Sequence, residues 1–168
     1  MGRSRSTRAP GGTRARPRRP AGPKARPATV ADVADRVADL LVDQGIAPDR
    51  TGEGPFLLAW GSTVVLVQVL EAEGRPWVRI ASVVLTGFRP NLDLLVRILH
   101  LNTEVVTGAF VLFEDDTLAF ATTLPGEGLE PEAFRLALAY VARVSDDLDD
   151  ELQALAGGHR AVDLLAPG

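Results

Sequence analysis

The fold of this 168-residue chain is decided by one stretch, Phe56–Gly87, which reads "FLLAWGSTVVLVQVLEAEGRPWVRIASVVLTG". It contains three strand-like runs, in which apolar, β-branched and aromatic residues predominate. These runs are Phe56–Trp60, Thr63–Ala72 and Pro76–Gly87. The links Gly-Ser and Glu-Gly-Arg between them have the length of hairpin loops, and hairpin loops join antiparallel strands. The stretch therefore predicts a three-stranded antiparallel meander.

Apolar residues at helical spacing occur on both sides of the meander and again near the end of the chain. The predicted helices are residues 29–45, 91–101 and 131–157. Thr29 and Asp32 have the spacing of a capping box at the start of the first helix. Asn91 is a favourable N-cap for the second. Pro131 suits the first turn of the third, because that position needs no backbone N–H donor.

A second hairpin is predicted between the second and third helices. Its strands are "VVTGAFVLFE" (105–114) and "TLAFATTL" (117–124). Asn102 precedes it, at the expected helix end, where asparagine tolerates a left-handed turn. Gly108 falls within a strand and predicts a bulge or a close backbone approach. The order α-β-β-β-α-β-β-α predicts an α+β domain built on one antiparallel sheet packed by helices.

The strands of this sheet barely alternate between apolar and polar residues, whereas a sheet covered on one side only should alternate. Residues 64–67, 83–85 and 110–113 are each uninterrupted apolar runs. Three helices cannot easily cover both faces of five strands. We therefore predict a partner surface, occupied by a second subunit or an apolar peptide segment. The alternative is a monomer in which long helices and the termini cover both faces.

Charge divides the chain into two parts. Residues 1–27 carry eight arginines, one lysine and no acid, about +9, so the overall charge of −4 leaves −13 for the rest. The same segment has five prolines, four glycines and almost no apolar side chain, which is typical of disorder. We predict a disordered basic tail rich in Arg, Pro and Gly (1–28), a folded domain (29–157) and a frayed C-terminal tail (158–168).

Three roles remain open for the basic tail. It is a solubilising extension, a contact for nucleic acid, or a segment that associates with the acidic body of the chain. Nucleic-acid contact would use the arginine cluster Arg14, Arg16, Arg18 and Arg19. No aromatic residue is interleaved with these arginines, so base stacking has no platform and sequence-specific reading is not expected.

Catalytic, cofactor and metal motifs are incomplete. The chain has no cysteine, which excludes disulfides, thiolate metal sites and a thiol nucleophile. Both "GEG" stretches lack the third glycine of a dinucleotide-binding loop. His100 shares a predicted helix stripe with Asp93 and Arg97, as a surface histidine commonly does. "SDDLDDE" (145–151) lies on a predicted helix, where a solvated face is expected rather than a metal site.

We therefore predict a protein without catalytic residues, cofactor or metal, and not an enzyme. No apolar run reaches the roughly 20 residues that span a bilayer, so no membrane association is expected. The basic start is not followed by an apolar core, so it is not a secretory signal. Together with the absence of cysteine, this predicts a cytoplasmic protein.

Residues 94–155, "LLVRILHLNTEVVTGAFVLFEDDTLAFATTLPGEGLEPEAFRLALAYVARVSDDLDDELQAL", carry a family resemblance. "LNTE" follows an apolar helix, a short "GAF" strand comes next, and "TLP" precedes a long helix that opens with "LEPEAF". With the preceding helix and meander, this pattern resembles the YbjN family, which is similar to the type III secretion chaperones. The resemblance covers about residues 29–156 and excludes the arginine tail.

The resemblance implies a domain that is often dimeric and holds non-globular peptide segments, for which the label sensory transduction regulator has also been used. No catalytic residue carries over. We predict a peptide- or protein-binding module, chaperone-like or a regulatory adaptor, with a nucleic-acid-associated regulator as the alternative. Trp60, Trp77 and Phe88 are the large residues expected at a peptide or dimer surface, since aromatics anchor interfaces. Ordinary core packing is the alternative for each.

Overall fold

A computed structural model of the protein describes residues 26–47, 49–50, 54–60, 63–161 and 163. Its elements, in chain order, are α1 (Val30–Asp43), β1 (Asp49–Arg50), β2 (Phe56–Trp60), β3 (Thr63–Ala72), β4 (Arg75–Leu85), α2 (Leu92–Glu104), β5 (Ala109–Leu112), β6 (Leu118–Pro125) and α3 (Pro131–Ala156). Most of the predicted basic tail, including its four clustered arginines, lies outside the described residues.

The strands form one antiparallel sheet in the order β1-β2-β3-β4-β6-β5. The predicted α+β class and its α-β-β-β-α-β-β-α order are confirmed, with the two-residue β1 as an unpredicted addition at one edge. Both predicted hairpins are present, because β3 pairs with β4 and β5 pairs with β6. A register shift between Val83 and Leu85 lets both Val84 and Leu85 point into the core.

The helix starts follow the predicted local chemistry. At α1, the Thr29 hydroxyl accepts a hydrogen bond from the Asp32 N–H, and the Asp32 carboxylate accepts one from the Thr29 N–H at 2.8 Å. The hydrogen bond that the Thr29 N–H donates to the carboxylate lowers the pKa of Asp32. At α2, Asn91 Oδ1 accepts from the Leu94 N–H at 2.9 Å. Helix α3 begins at Pro131 as expected.

Helices α1 and α3 cover one face of the sheet. On β3 this face carries Val65 and Val67, both with no exposed surface, and the register places Ile80 of β4 beside Val67. These residues share one core with the apolar sides of α1 and α3, including Val37 and Phe134. Each such buried side chain contributes about 1.5–3 kcal/mol relative to an exposed one, so this single core fixes how both helices lie on the sheet.

Asn102 does not end its helix in a left-handed turn, as the sequence had indicated. Helix α2 continues to Glu104, and the Asn102 carboxamide instead reaches the edge strand β5. Its Oδ1 accepts from the Phe110 N–H at 2.7 Å, and its Nδ2 donates to the Phe110 carbonyl at 3.3 Å. A side chain thus satisfies backbone groups that a further strand would otherwise pair with, which is one way to protect a sheet edge.

Gly108 makes the close backbone approach that its position predicts. Its φ is +79°, and a Cβ built there would lie 2.6 Å from the carbonyl oxygen of Ala121 in β6. Only glycine accommodates both the backbone conformation and the contact without strain. The turn from α2 into β5 therefore depends on Gly108 as well as on Asn102.

The C-terminal segment, predicted to fray from residue 158, contacts the domain over its first residues. His159 and Thr86 exchange two backbone hydrogen bonds of 2.9 Å. Arg160 forms ion pairs with Asp150 and with Asp163, and Ala161 is buried. Hydrogen bonds from Arg160 lower the pKa of Asp163 to about 2. Residues 162 and 164–168 of the predicted tail lie outside the described residues.

The Asn102→Ala variant tests the edge-strand contact. It removes both hydrogen bonds to Phe110 and leaves the backbone groups of an edge strand unpaired, so we expect the free energy of unfolding to fall by about 1–3 kcal/mol. Urea denaturation measures this change. Thr103→Ala is the matched control, because the exposed Thr103 hydroxyl donates only to the His100 carbonyl. A loss in Thr103→Ala equal to that in Asn102→Ala would contradict this role.

Candidate binding surfaces

The side of the sheet opposite the core is apolar and carries no helix in the described part of the chain. We call it the open sheet face. The strand register brings together on it Leu57, Leu66, Ala81, Ala121 and Ala109 in one row, and Ala59, Val64, Val83, Ala119 and Val111 in the next. None of these residues belongs to the core cluster that α1 and α3 share with the other face, although the small Ala119 is itself only 2% exposed. The predicted lack of alternation therefore corresponds to a real second apolar face.

The open sheet face is lined by small side chains over β4, β6 and β5, which we call its floor, and by larger, more exposed side chains at its two sides. Four alanines, which project only methyl groups, lie on the neighbouring strands β4, β6 and β5: Ala81, Ala109, Ala119 and Ala121. Leu57 at one side is 42% exposed and Val111 at the other is 36% exposed, whereas Leu66 between them is half-buried. This shape allows a polypeptide to approach the sheet closely and bury apolar side chains along both rows.

A polar row and then an aromatic end bound the open sheet face on one side. Gln68, Arg79 and Thr123 pair across three strands. Beyond them Trp77 pairs with Leu70 on one side and Pro125 on the other. The half-buried Trp77 donates its indole N–H to the Ala72 carbonyl at 3.2 Å. Its hydrogen-bonding capacity is thereby used, and the ring is left to make apolar contacts.

The three aromatic residues singled out in the sequence do not come together. Trp77 lies on the open sheet face. Trp60 pairs with Thr63 at the opposite end of β3 and belongs to the face that carries Phe56 and Leu58; it is 37% exposed. Phe88 lies on neither a peptide surface nor a dimer surface, because it is packed in the core and only 2% exposed. The C-terminal segment covers it: a Cβ built on Gly158 would lie 2.8 Å from the Phe88 Cβ.

Sequence reasoning favoured large aromatic side chains and so missed the alanines that form the floor of the open sheet face. The signal for them is positional. Successive residues of a strand point to opposite faces, so Ala81, Ala119 and Ala121, which flank the core residues Ile80 and Phe120, belong to the face away from the core. Their small size hid them from a search for interface anchors.

A second apolar surface lies on α2. Its outward residues are at positions i, i+3, i+4 and i+7, the spacing of one helix face: Leu92, Leu95, Val96 and Leu99. We call them the α2 stripe. Their exposure runs from 39% at Leu95 to 75% at Leu92. The opposite side of the helix is buried through Leu94, Ile98 and Leu101.

Polar contacts hold α2 against α3 and so keep the α2 stripe turned outward. Asn91 Nδ2 donates to the Leu155 carbonyl at 2.9 Å, and Arg97 makes a two-point pair with Glu151 at 2.5 and 3.2 Å. The hydrogen bond from Arg97 lowers the pKa of Glu151. At the far end, the Tyr140 hydroxyl accepts from the Val106 N–H at 2.9 Å. Arg97 is therefore engaged with α3, whereas His100, one turn further along the same side of α2, is exposed.

The acidic run 145–151 is less solvated than its composition predicts. Ser145 and Asp149 are buried on α3, and desolvation raises the pKa of Asp149. Asp150 and Glu151 are bound in ion pairs with Arg160 and Arg97. Within the described ranges, no three His, Asp or Glu side chains converge as metal ligands would. The run thus joins α3 to its neighbours.

None of the helices that the structure describes combines the length and the apolar character needed to cross a membrane.

Comparison with known proteins gives one family match. Residues 28–164 match the model of a family described as type III secretion system (YopN, CesT) and YbjN peptide-binding chaperone 1. No curated protein sequence matches the chain closely enough to count as a relative.

Several solved structures share the fold. YbjN from E. coli is 16% identical with a TM-score of 0.56, over 70% of this chain and 92% of that one. The ExsC–ExsE complex contains a chain that is 15% identical with a TM-score of 0.58, over 73% and 95% of the two chains. The HopA1–SchA chaperone–effector complex gives 11% identity and a TM-score of 0.55, over 74% and 99%.

Proposed function

This chain belongs to the type III secretion and YbjN peptide-binding chaperone family, and we propose that it holds an unfolded segment of another polypeptide on its open sheet face. Membership of the family implies a binding role rather than a catalytic one. The observation that carries the proposal is the second apolar face of the sheet, which runs from Leu57 to Val111 without a helix on it among the described residues.

The physical basis of binding is burial of apolar surface. At about 25 cal/mol per Å², a few hundred square ångströms of buried apolar area gives several kcal/mol before the cost of ordering the bound segment. Methyl and branched side chains dominate the open sheet face, and the polar side chains of Gln68, Arg79 and Thr123 form one row across it. Such a surface favours weak binding that tolerates many sequences.

Two of the similar structures support a polypeptide partner. One is the complex of ExsC with ExsE, and the other is a complex of a chaperone with its effector. The identity of 11–15% relates these proteins to this chain by fold, so the chemistry of the bound segment is inferred from the open sheet face itself. We include in the proposal the cytoplasmic location that the sequence predicts.

The Leu57→Asp variant tests this function. A carboxylate on the open sheet face would have to lose its hydration beside Leu66, so we expect the Kd for an unfolded protein, reduced and alkylated to keep it unfolded, to rise about tenfold or more. Fluorescence anisotropy of the labelled probe measures the Kd. Leu57 is 42% exposed, so the melting temperature should change little.

Gln68→Asp is the matched control for Leu57→Asp, because Gln68 is an exposed polar residue on the same side of the sheet. It introduces the same carboxylate into the existing polar row, and its Kd should stay near the wild-type value. The proposal fails if the wild-type protein does not bind the unfolded probe, or if the two variants weaken binding equally.

We further propose a homodimer formed through the α2 stripe. Four apolar side chains at one helix spacing form a self-complementary ridge, and a two-fold axis would place this ridge against its copy. Leu99, the last residue of the α2 stripe, is 66% exposed. The contacts of Asn91 and Arg97 with α3 preorganise it, so dimerisation would order few additional groups.

The Leu99→Lys variant should be monomeric, because a lysine in the α2 stripe would place a charge against an apolar copy of the same surface. Val42→Lys is the matched control: Val42 lies on α1, is 64% exposed and should not alter the assembly. Native mass spectrometry and light scattering measure the mass of each. A monomeric wild-type protein, or loss of the dimer in both variants, would contradict a dimer through α2.

The +9 charge of residues 1–27 supports a second candidate function, association with nucleic acid. Phosphate contacts by Arg14, Arg16, Arg18 and Arg19 would make the affinity fall steeply with salt. Replacing these four arginines with glutamine in the full chain separates the two functions. The nucleic-acid candidate requires salt-dependent DNA or RNA binding that is lost in this variant, whereas capture of the unfolded probe should persist in it.

A further inference from the structure

One cationic side chain lies between apolar rows of the open sheet face. Arg79 on β4 pairs with Gln68 on β3 and with Thr123 on β6, so their three side chains form a row on the same side of the sheet. The neighbouring rows along the strands are apolar: Leu66, Ala81 and Ala121 on one side, and Leu70, Trp77 and Pro125 on the other. The open sheet face therefore changes from apolar to polar and back to apolar within two residues on each side of Arg79.

The described part of the chain leaves the charge of Arg79 without a counterion. Arg79 is exposed, and among the described residues its guanidinium makes neither an ion pair nor a hydrogen bond, whereas four other described arginines bind carboxylates. On strands β2–β6, the positions that belong to the open sheet face include no Asp or Glu. A guanidinium presents its N–H donors in a planar fork that matches a carboxylate. The row around Arg79 can therefore bind a carboxylate from another molecule.

A second arginine on this face, Arg75, is less suited to that role. It lies two residues before Trp77 on the same side of β4, but it lines a groove of about 190 Å³ together with the exposed Glu127, which carries the opposite charge. The other walls of this groove are Trp77, Pro76 and Pro125. The indole N–H is already bonded to a backbone carbonyl, so the groove offers an apolar aromatic wall to a side chain that enters it.

The spacing of the rows fits an extended polypeptide. Alternate residues of a strand are about 7 Å apart, because the rise is about 3.4 Å per residue. A segment that lies along β4 in an extended conformation has the same spacing, so its residues i, i+2 and i+4 meet the rows of Ala81, Arg79 and Trp77 in turn. The alanine floor leaves room for a large apolar side chain at the first position, and the groove beside Trp77 receives an apolar side chain at the third.

We propose that the open sheet face prefers client segments of the pattern apolar–x–acidic–x–apolar, whose acidic side chain binds Arg79. This preference rests on the proposed function, because it concerns the same face and the same class of partner. Gln68 and Thr123 flank the guanidinium with an amide and a hydroxyl, which can donate further hydrogen bonds to the carboxylate. The apolar rows on both sides require the bound chain to continue past the acid, so the ligand is a side-chain carboxylate and not a chain terminus.

Three labelled peptides test the preference by fluorescence anisotropy with the full chain. The first is built on Leu-Ser-Asp-Ser-Leu. The second has Asn in place of Asp, and the third, Leu-Asp-Ser-Ser-Leu, moves the acid to a position that faces away from the sheet and keeps the net charge. A charge-assisted hydrogen bond is stronger than a neutral one, so we expect the first peptide to bind about fivefold more tightly than the other two. Equal Kd values for the three peptides would overturn the preference.

Arg79→Gln should remove the preference and leave the Kd of the Asn peptide unchanged. Arg36→Gln is the matched control, because Arg36 is exposed on α1, on the other side of the sheet, and its loss changes the net charge equally. Arg79→Glu should instead prefer a peptide with Lys at the acidic position, by about fivefold. Equal loss of the preference in Arg79→Gln and Arg36→Gln would show a long-range effect of net charge and would overturn the contact.

The outcomes separate this preference from the proposed function. The unfolded protein that tests the function offers many apolar segments, so its Kd averages over sequences. If it and the Asn peptide bind while the Asp peptide binds no more tightly, the preference is wrong and the proposed function stands. If neither the unfolded protein nor any peptide binds, both are wrong. A second copy on this face would also contradict both: no peptide would bind, and Arg79→Gln would lower the mass measured by light scattering.

Discussion

The structure depends on one constraint: both faces of its antiparallel sheet are apolar, so both favour burial. Helices α1 and α3 lie on one face and share a core with it, in which Val65 and Val67 have no exposed surface. The other face carries almost as many apolar side chains, Leu57 and Leu66 among them, and the described residues place no helix over it. Displacing water from such a face by an apolar partner is favourable. The fold therefore favours binding of an apolar segment on this face.

The position of α2 keeps the two apolar surfaces apart. This helix packs on α3 and beside the edge strand β5, whereas the open sheet face extends across the sheet to β2. Arg97, Asn91 and Tyr140 fix α2 by polar contacts. Asn102 uses its carboxamide to occupy the edge of β5. A dimer through α2 would therefore leave the open sheet face accessible, so assembly and client binding need not compete.

Local patterns predicted most of the fold, because they depend on neighbours in the chain. Thr29, Asn91 and Pro131 start their helices as expected, and strand parity separates Leu66 from Val67. Contacts between distant residues were beyond such patterns. The Asn102 side chain hydrogen-bonds to the backbone of Phe110, and residues near Gly158 bury Phe88. Strand parity groups the alanines on one face of the sheet, but which face the helices cover depends on long-range packing, so parity alone does not say that the alanine face is the uncovered one.

The most direct test of the central claim is a methyl NMR titration of the full chain with the unfolded, alkylated probe. If the open sheet face binds polypeptide, the methyl signals of Ala81, Ala121 and Leu66 should shift together and saturate. Leu41 and Leu58, which are buried in the core behind the sheet, should keep their positions. Shifts confined to Leu92 and Leu99 of the α2 stripe, or an absence of shifts at saturating probe, would contradict the claim.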